Sequence, residues 1–347
     1  MAKLVRVGFI GTGGIATRQA QRLAQLKDVE IAAACDVSKE ALAKFAETYK
    51  VRRTFADFYQ MVQAPDLDAV SVCTPNYLHK APTVAALNTG KHVLVEKPMA
   101  MNVQEAQAMV DSATTSKATL TMGFQIRLAP AAQMLKRFID EGRIGKVLFA
   151  RCQALRRRGI PSWGVFGRKE LQGGGPLIDI GVHIMECAHY LMGEPKPTAA
   201  SAQMFTYLGN KPPATLCSWG PWDYKTYNVE DLAIGLIRFE GGAVMAVEAS
   251  FAAHIKDDVF NLQIMGEKGG CVLHPPTVYT DEAGTMVNIE SSFHGNWDSM
   301  DRKIDDWIAR IRGEKETQCP AEAGLAVQKM LDGLYESAQA GKEVAIE

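Results

Sequence analysis

The seven cysteines of this 347-residue chain never fall into C-x-x-C spacing. They are scattered and odd in number, at Cys35, Cys73, Cys152, Cys187, Cys217, Cys271 and Cys319. That pattern argues against both a disulfide framework and a zinc site, and predicts a reducing, cytoplasmic setting. No apolar stretch approaches the ~20 residues of a membrane span, so no membrane-crossing segment is expected. Neither sign of charge dominates: 38 Lys and Arg against 39 Asp and Glu leave a net charge of −1. There is then no electrostatic case for nucleic acid or an anionic membrane as partner. The opening stretch, MAKLVRVGFIGTGG, runs straight into a strand and a glycine-rich turn, with no signal-peptide core or cleavage site. Internal repeats and low-complexity linkers are absent too.

What is present is the composition of a soluble globular protein, 47% hydrophobic and 22% charged, at a length that suits two domains. The first third alternates apolar strands (4–11, 29–36, 67–75, 91–98, 118–124) with amphipathic helices (15–26, 38–49 and two more). That rhythm predicts a doubly wound parallel sheet covered on both faces. After about residue 124 a helix (130–141) and a Gly-rich segment with its helix (171–192) precede strand-like runs. These are KVLFARCQAL, TAASAQMFTY, DLAIGLIRF, AVMAVEASF and VFNLQIMG, with FEGGAV as a hairpin signal. They predict an α+β domain built on an antiparallel sheet. The expected organisation is a nucleotide-binding α/β domain over 1–123 and a second domain over 124–347, to which helical segments at 297–312 and 321–340 belong.

GTGGIA, residues 11–16, fits G-x-G-x-x-G/A directly after the first strand. Gly11 permits the tight turn, Gly13 lets a pyrophosphate approach, and Ala16 allows close helix–strand packing. Gly11, Thr12, Gly13, Gly14 and Ile15 are therefore expected to contact a dinucleotide. Asp36 ends the second strand, 20 residues after Ala16. A carboxylate there accepts both ribose hydroxyls and repels a 2′-phosphate, so NAD is favoured while NADP stays open. Two more polar segments leave strand ends, where ligands of open α/β sheets lie. CTPNYLH carries Thr74, Pro75, Asn76 and His79; it is a helix-capping turn in any case, and cofactor contact is the added expectation. EKPMA carries Glu96 and Lys97. Local sequence leaves Lys97 as either an exposed loop lysine or a rigidly held cation reaching a substrate oxygen.

PLIDIGVH, residues 176–183, places Asp179 and His183 four positions apart in an apolar segment after three glycines. On a helix or a strand, i and i+4 share a face. A satisfied buried pair and a functional pair fit equally at this point. Substrate candidates are Gln125 and Arg127, after the last strand of the first domain, and the loop RRRGIPSWGVFG (156–167), with Arg158 and Trp163. Trp219 and Trp222 are further candidates. His183, Glu186 and His189 drift around a helix at i, i+3, i+6, and no metal is expected.

GFIGTGGIA, CTPNYLH, VEKPMA, GGGPLIDIGVH and YESAQAGKEVAI occur in one order along the whole chain. In this the chain resembles the Gfo/Idh/MocA oxidoreductases, named for glucose-fructose oxidoreductase, inositol dehydrogenase and a rhizopine catabolism protein. The resemblance implies an N-terminal Rossmann domain, a C-terminal domain with a large open, mostly antiparallel sheet, and homodimers or homotetramers formed through that sheet. It makes Lys97, Asp179 and His183 the catalytic set, the glycines before Asp179 leaving room for substrate and cofactor. It also implies hydride transfer between the nicotinamide and a secondary alcohol of a sugar, glycoside or cyclitol. His183 would accept the hydroxyl proton, Lys97 would stabilise the developing alkoxide, and Asp179 would position the substrate. Alternatives are a closed redox cycle with tightly held NAD, scored as a lyase or glycosidase, and a non-catalytic dinucleotide-sensing regulator.

Overall fold

The computed structural model describes residues 4–215, 217 and 219–347. Of the opening stretch searched for an export signal, residues 1–3 lie outside the described residues. Among the described residues no helix is long and apolar enough to cross a membrane. The chain divides into two compact units, Met1–Gln125 with Asp298–Leu325, and Ile126–Trp297 with Ala326–Glu347.

In the first unit the apolar runs form a six-stranded parallel sheet, ordered β3-β2-β1-β4-β5-β6. The strands are β1 (Val5–Ile10), β2 (Val29–Cys35), β3 (Arg53–Phe55), β4 (Ala69–Val72), β5 (His92–Val95) and β6 (Leu120–Met122). β4 is buried at every position, as expected of a strand with helices on both faces. The order reverses between β1 and β4, the switch point beyond whose carboxyl ends such sheets bind ligands. Gly11, Asp36, Cys73–Asn76 and Glu96–Lys97 all leave strands at that edge.

Helix Ser299–Ile311 also belongs to this unit, whereas its sequence position suggested the second domain. Ile304, Trp307 and Ile308 join Phe9, Ala16 and Leu23 in one core cluster. Arg18 pairs with Asp298 and Asp301, and Arg22 with Asp305, tying this helix to helix Gly14–Leu23. Helical periodicity announces an apolar face but not which sheet receives it.

The second unit carries a nine-stranded sheet, ordered β14-β13-β12-β11-β7-β10-β9-β8-β15. Its strands are β7 (Val147–Leu155), β8 (Pro197–Phe205), β9 (Leu232–Phe239), β10 (Val244–Ser250), β11 (Val259–Gly266), β12 (Gly269–Val272), β13 (Thr277–Glu282), β14 (Thr285–Glu290) and β15 (Val344–Ala345). Neighbours run antiparallel except β7 and β10, which pair in parallel with Cys152 opposite Val247. The FEGGAV turn joins β9 to β10 as expected, with Gly241 and Gly242 at positive φ. Strands β12 to β14 were missed by the periodicity reading, because GGCV is short and glycine-rich and β14 is mostly exposed on both faces. Leu148, Ile234, Leu236, Phe260 and Met265 are exposed along the sheet.

Candidate functional site

Gly11 ends β1 with φ +85°, and a Cβ there would lie 2.7 Å from the Cys73 carbonyl oxygen. Only glycine fits so close to the end of β4. A Cβ on Gly13 or Gly14 would meet nothing within 4 Å, so open space lies above the turn. Gly13 is also the N-cap of helix Gly14–Leu23 and supplies no side-chain cap bond. An uncapped helix start facing open space suits a phosphate-bearing ligand. Ile15 packs on the core cluster.

Thr12 is buried, and its backbone N–H and its hydroxyl both donate to Asp36 Oδ2, at 2.8 and 2.9 Å. The Ser38 backbone N–H donates to Asp36 Oδ1 at 2.8 Å. Three donors thus fix the Asp36 carboxylate at the end of β2. Thr12 orients this acid, a use that the motif alone does not disclose.

His79 is also buried. Its Nδ1 lies 2.7 Å from the Pro98 carbonyl oxygen and its Nε2 2.9 Å from that of Thr74. The ring therefore bridges the loop after β4 to the loop after β5. Asn76 is buried in the short turn Asn76–Leu78, Thr74 Oγ1 donates to the Leu78 carbonyl, and Pro75 is exposed. Burial pushes the His79 pKa down, against the pull of the two carbonyls and Glu96. Although a neutral ring donates to only one of the two carbonyls, a folded pKa below the unfolded value of ~6.5 makes stability fall as pH falls. Burial raises Glu186 and Glu230, which act in the opposite sense. Comparing wild type with His79→Gln cancels them: between pH 7 and 5 the urea midpoint should fall more in wild type. Equal falls would refute a neutral buried His79.

Glu96 is buried, and its Oε1 accepts from Gln19 Nε2 at 2.6 Å and Lys303 Nζ at 2.5 Å. Gln19 Oε1 in turn accepts from the Ser71 hydroxyl at 2.6 Å. Glu96 is therefore the acceptor of an internal polar network, and half-buried Lys97 follows it directly. Lys303 was missed. The available signal was its place four residues before Trp307, on the apolar stripe of its helix; a lysine on such a stripe needs a carboxylate.

In the second unit Gly173 ends a short helix at φ +90°, and the chain enters a π-turn, Leu177–Gly181, that continues as helix Val182–Leu191. Asp179 is buried in that turn and His183 half-buried one turn on. Such π-turns recur at functional positions. Gly174 and Gly175 face protein groups rather than open space. A Cβ on Gly174 would fall 2.0 Å from Tyr335 Oη, and one on Gly175 2.3 Å from the Glu230 carbonyl oxygen. They let the chain pack on Glu230 and Tyr335. Glu230 Oε2 accepts from Gly175 N at 2.9 Å, and its Oε1 accepts from Leu177 N at 3.2 Å and from Tyr335 Oη at 2.9 Å. A carboxylate thus caps the helix that carries Asp179 and His183. Glu230 gave no signal in the sequence, and Tyr335, though it opens YESAQAGKEVAI, gave none for this partnership, since the two lie 105 positions apart.

Arg127 is 1% exposed. Its guanidinium pairs with buried Glu186 and with Glu194, and stacks on Tyr190 at 4.6 Å. The arginine read as a substrate ligand is thus an interior ion-pair residue. Gln125 is half-buried at the end of the first unit. Arg158 Nη1 donates to the carbonyls of Arg157 and Ala253, and its Nη2 lies 3.0 Å from His254 Nε2. Trp222 Nε1 donates to the Gly209 carbonyl at 2.7 Å. Trp163 is 56% exposed, with Trp219 5.2 Å away between ring centroids. His189 Nε2 lies 2.8 Å from the Pro195 carbonyl oxygen. Among the described residues no three His, Cys, Asp or Glu side chains are grouped to hold a metal.

Comparison with known proteins adds to this geometry. An oxidoreductase family's NAD-binding Rossmann fold matches residues 5–124, and the same family's C-terminal alpha/beta domain matches 136–346. The D-glucoside 3-dehydrogenase of Escherichia coli (strain K12) is 35% identical, over 99% of this chain and 97% of that protein. The myo-inositol 2-dehydrogenase of Thermotoga maritima is 27% identical, over 92% and 91%. A levoglucosan dehydrogenase solved with NADH and levoglucosan superposes with a TM-score of 0.84 at 25% identity, covering 99% of each chain.

Proposed function

The chain belongs to the Gfo/Idh/MocA family of oxidoreductases, and on that premise we propose that Lys97, Asp179 and His183 serve an NAD-dependent dehydrogenase of sugar or cyclitol secondary alcohols. A glucoside is the preferred substrate class. The observation that carries this is the similarity to a D-glucoside 3-dehydrogenase along nearly the full length of both chains. NAD fits the residues present: Gly13 and Gly14 face open space and Asp36 is fixed to receive the ribose. When bound, it supplies the hydride acceptor. The protein supplies the rest. His183 takes the hydroxyl proton, since a neutral imidazole is a competent base near neutral pH. The Lys97 ammonium holds the substrate oxygen and stabilises negative charge as it develops. Asp179 positions the substrate.

Glucosides and inositols incubated with NAD and with NADP should give nicotinamide reduction at 340 nm, fastest with a glucoside and NAD. No reduction with any sugar, despite cofactor binding, would defeat the dehydrogenase reading. Asp36→Ala should cut the preference for NAD over NADP by about tenfold, because the repelling carboxylate is gone. An unchanged ratio of kcat/KM values would remove Asp36 from cofactor choice.

Two further parts of this proposal concern setting. Exposed Ile234, Leu236 and Met265, which share the outer face of the nine-stranded sheet, belong to the self-association surface. Light scattering that returned a monomer mass at micromolar protein would overturn this. All seven cysteines are free thiols and six are buried, which suits the reducing cytoplasm. Fractionation of the source cells checks that placement.

A further inference from the structure

In the loop 156–167, Arg158 Nη1 donates to backbone carbonyls. The other members of the loop build something else. The Arg156 guanidinium carbon sits over the Trp219 ring at 4.4 Å and over Phe251 at 5.4 Å, and its Nη1 donates to the Gly159 carbonyl. Trp163 leans on Trp219 at 43°, and Phe166 meets Trp163 edge-on at 6.4 Å. The Ser162 hydroxyl donates to the Trp219 carbonyl at 2.5 Å, joining the two segments.

This aromatic group is anchored from below. Asp231 is fully buried and accepts from the backbone N–H groups of Tyr207, Leu208 and Gly209. Buried Tyr227 packs so tightly on Gly167 and Gly209 that a Cβ on either would stand 2.8 or 2.1 Å from its ring. Gly167, at the end of the loop that carries Trp163, is thus held against a buried ring.

Arg156 connects the aromatic group to the turn that carries Asp179. Its backbone N–H donates to the Ser250 carbonyl at 2.9 Å and its guanidinium sits over Phe251, and Ala249 on the same strand packs on Gly181 of the turn that carries Asp179. The sequence of groups is therefore Asp179, Arg156, Trp219, Trp163, all within one unit. In a glucopyranoside C1 is separated from C3 by C2 alone, and an equatorial C1 substituent diverges widely from the C3 hydroxyl, carrying the aglycone away from the reacting carbon. A site that holds the reacting ring beside Asp179 has its aglycone one ring further out.

We propose that Trp163 and Trp219, with Arg156 at their inner edge, form an aglycone subsite that selects glucosides carrying a ring at C1, whether a second sugar or an aryl group. The subsite rests on the glucoside reading above. Aromatic faces receive the C–H face of a pyranose or the face of an aryl ring. Arg156 supplies N–H donors to a hydroxyl or glycosidic oxygen at the junction.

The test compares glucose, methyl glucoside and phenyl glucoside as substrates of wild type, Trp163→Ala and Trp163→Phe. Trp163 is more than half exposed, so its replacement leaves the fold intact. In wild type, kcat/KM should be highest for phenyl glucoside. Trp163→Ala should lower that value ~10-fold, through KM, and change glucose less than ~2-fold. Trp163→Phe should recover most of the loss. Equal losses on glucose and phenyl glucoside, or no loss on either, overturn the subsite. Calorimetric binding of phenyl glucoside to the NAD-loaded protein is read in parallel. If no sugar is oxidised, the dehydrogenase reading fails, and the subsite stands or falls on whether Trp163→Ala weakens that binding ~10-fold.

Discussion

Lys97→Met should lower kcat about 1,000-fold with a good glucoside, while the dissociation constant for NAD stays within about threefold. Methionine keeps the length and apolar stem of lysine and removes the ammonium. On the role proposed for Lys97, two contributions would vanish together: a cation beside the substrate oxygen and a donor to the developing alkoxide. Each alone is worth an order of magnitude or more. The cofactor cradle does not share this loss, since Gly13, Gly14 and Asp36 belong to other strand ends. Steady-state kinetics and fluorescence titration with NAD separate the two effects. A variant that kept a tenth or more of wild-type turnover would remove Lys97 from the chemistry.

The second large effect concerns stability. Lys303→Met should cost about 3–5 kcal/mol of unfolding free energy, because Glu96 would be left as a buried carboxylate without its cation. The Lys303 side chain is 0% exposed and that of Glu96 9%, so little solvent can take over. The double variant Glu96→Gln/Lys303→Met should recover most of the loss, since no buried charge is then unpaired. Denaturant melts of the two variants and wild type measure both numbers. If the single variant lost less than about 1 kcal/mol, the pair would be a solvated contact in solution.

Lys303 also marks where the sequence stopped being legible. The Rossmann half could be read because its signals are local: an apolar strand, a glycine turn that opens a helix, and an acid at the end of the next strand. Gly11 and Asp36 sit within a span of 26 residues. Lys303 meets Glu96 across 207 positions and Tyr335 meets Glu230 across 105. No spacing rule reaches that far, and only the closed fold brings such partners together. Arg127 failed for a related reason. An arginine just past a strand end looks available, and nothing nearby reveals that Glu186, 59 residues later, neutralises it inside. Thr12 and His79 lie beyond the carboxyl ends of β1 and β4, as their sequence positions predict, but their hydrogen-bonding atoms face protein groups. Position along a strand end is readable from pattern; the direction of a side chain is not.

The return of residues 298–325 to the first unit has a consequence for biosynthesis. A ribosome releases the first 125 residues long before it has made Ile304, Trp307 and Ile308, which complete the core around Phe9 and Leu23. Until then the nascent nucleotide-binding half carries an uncovered apolar groove and a Glu96 with no Lys303 to meet it. Its assembly must wait for almost the whole polypeptide, so a fragment cut after Gln125 is expected to be a poor autonomous folder and a ready client for chaperones.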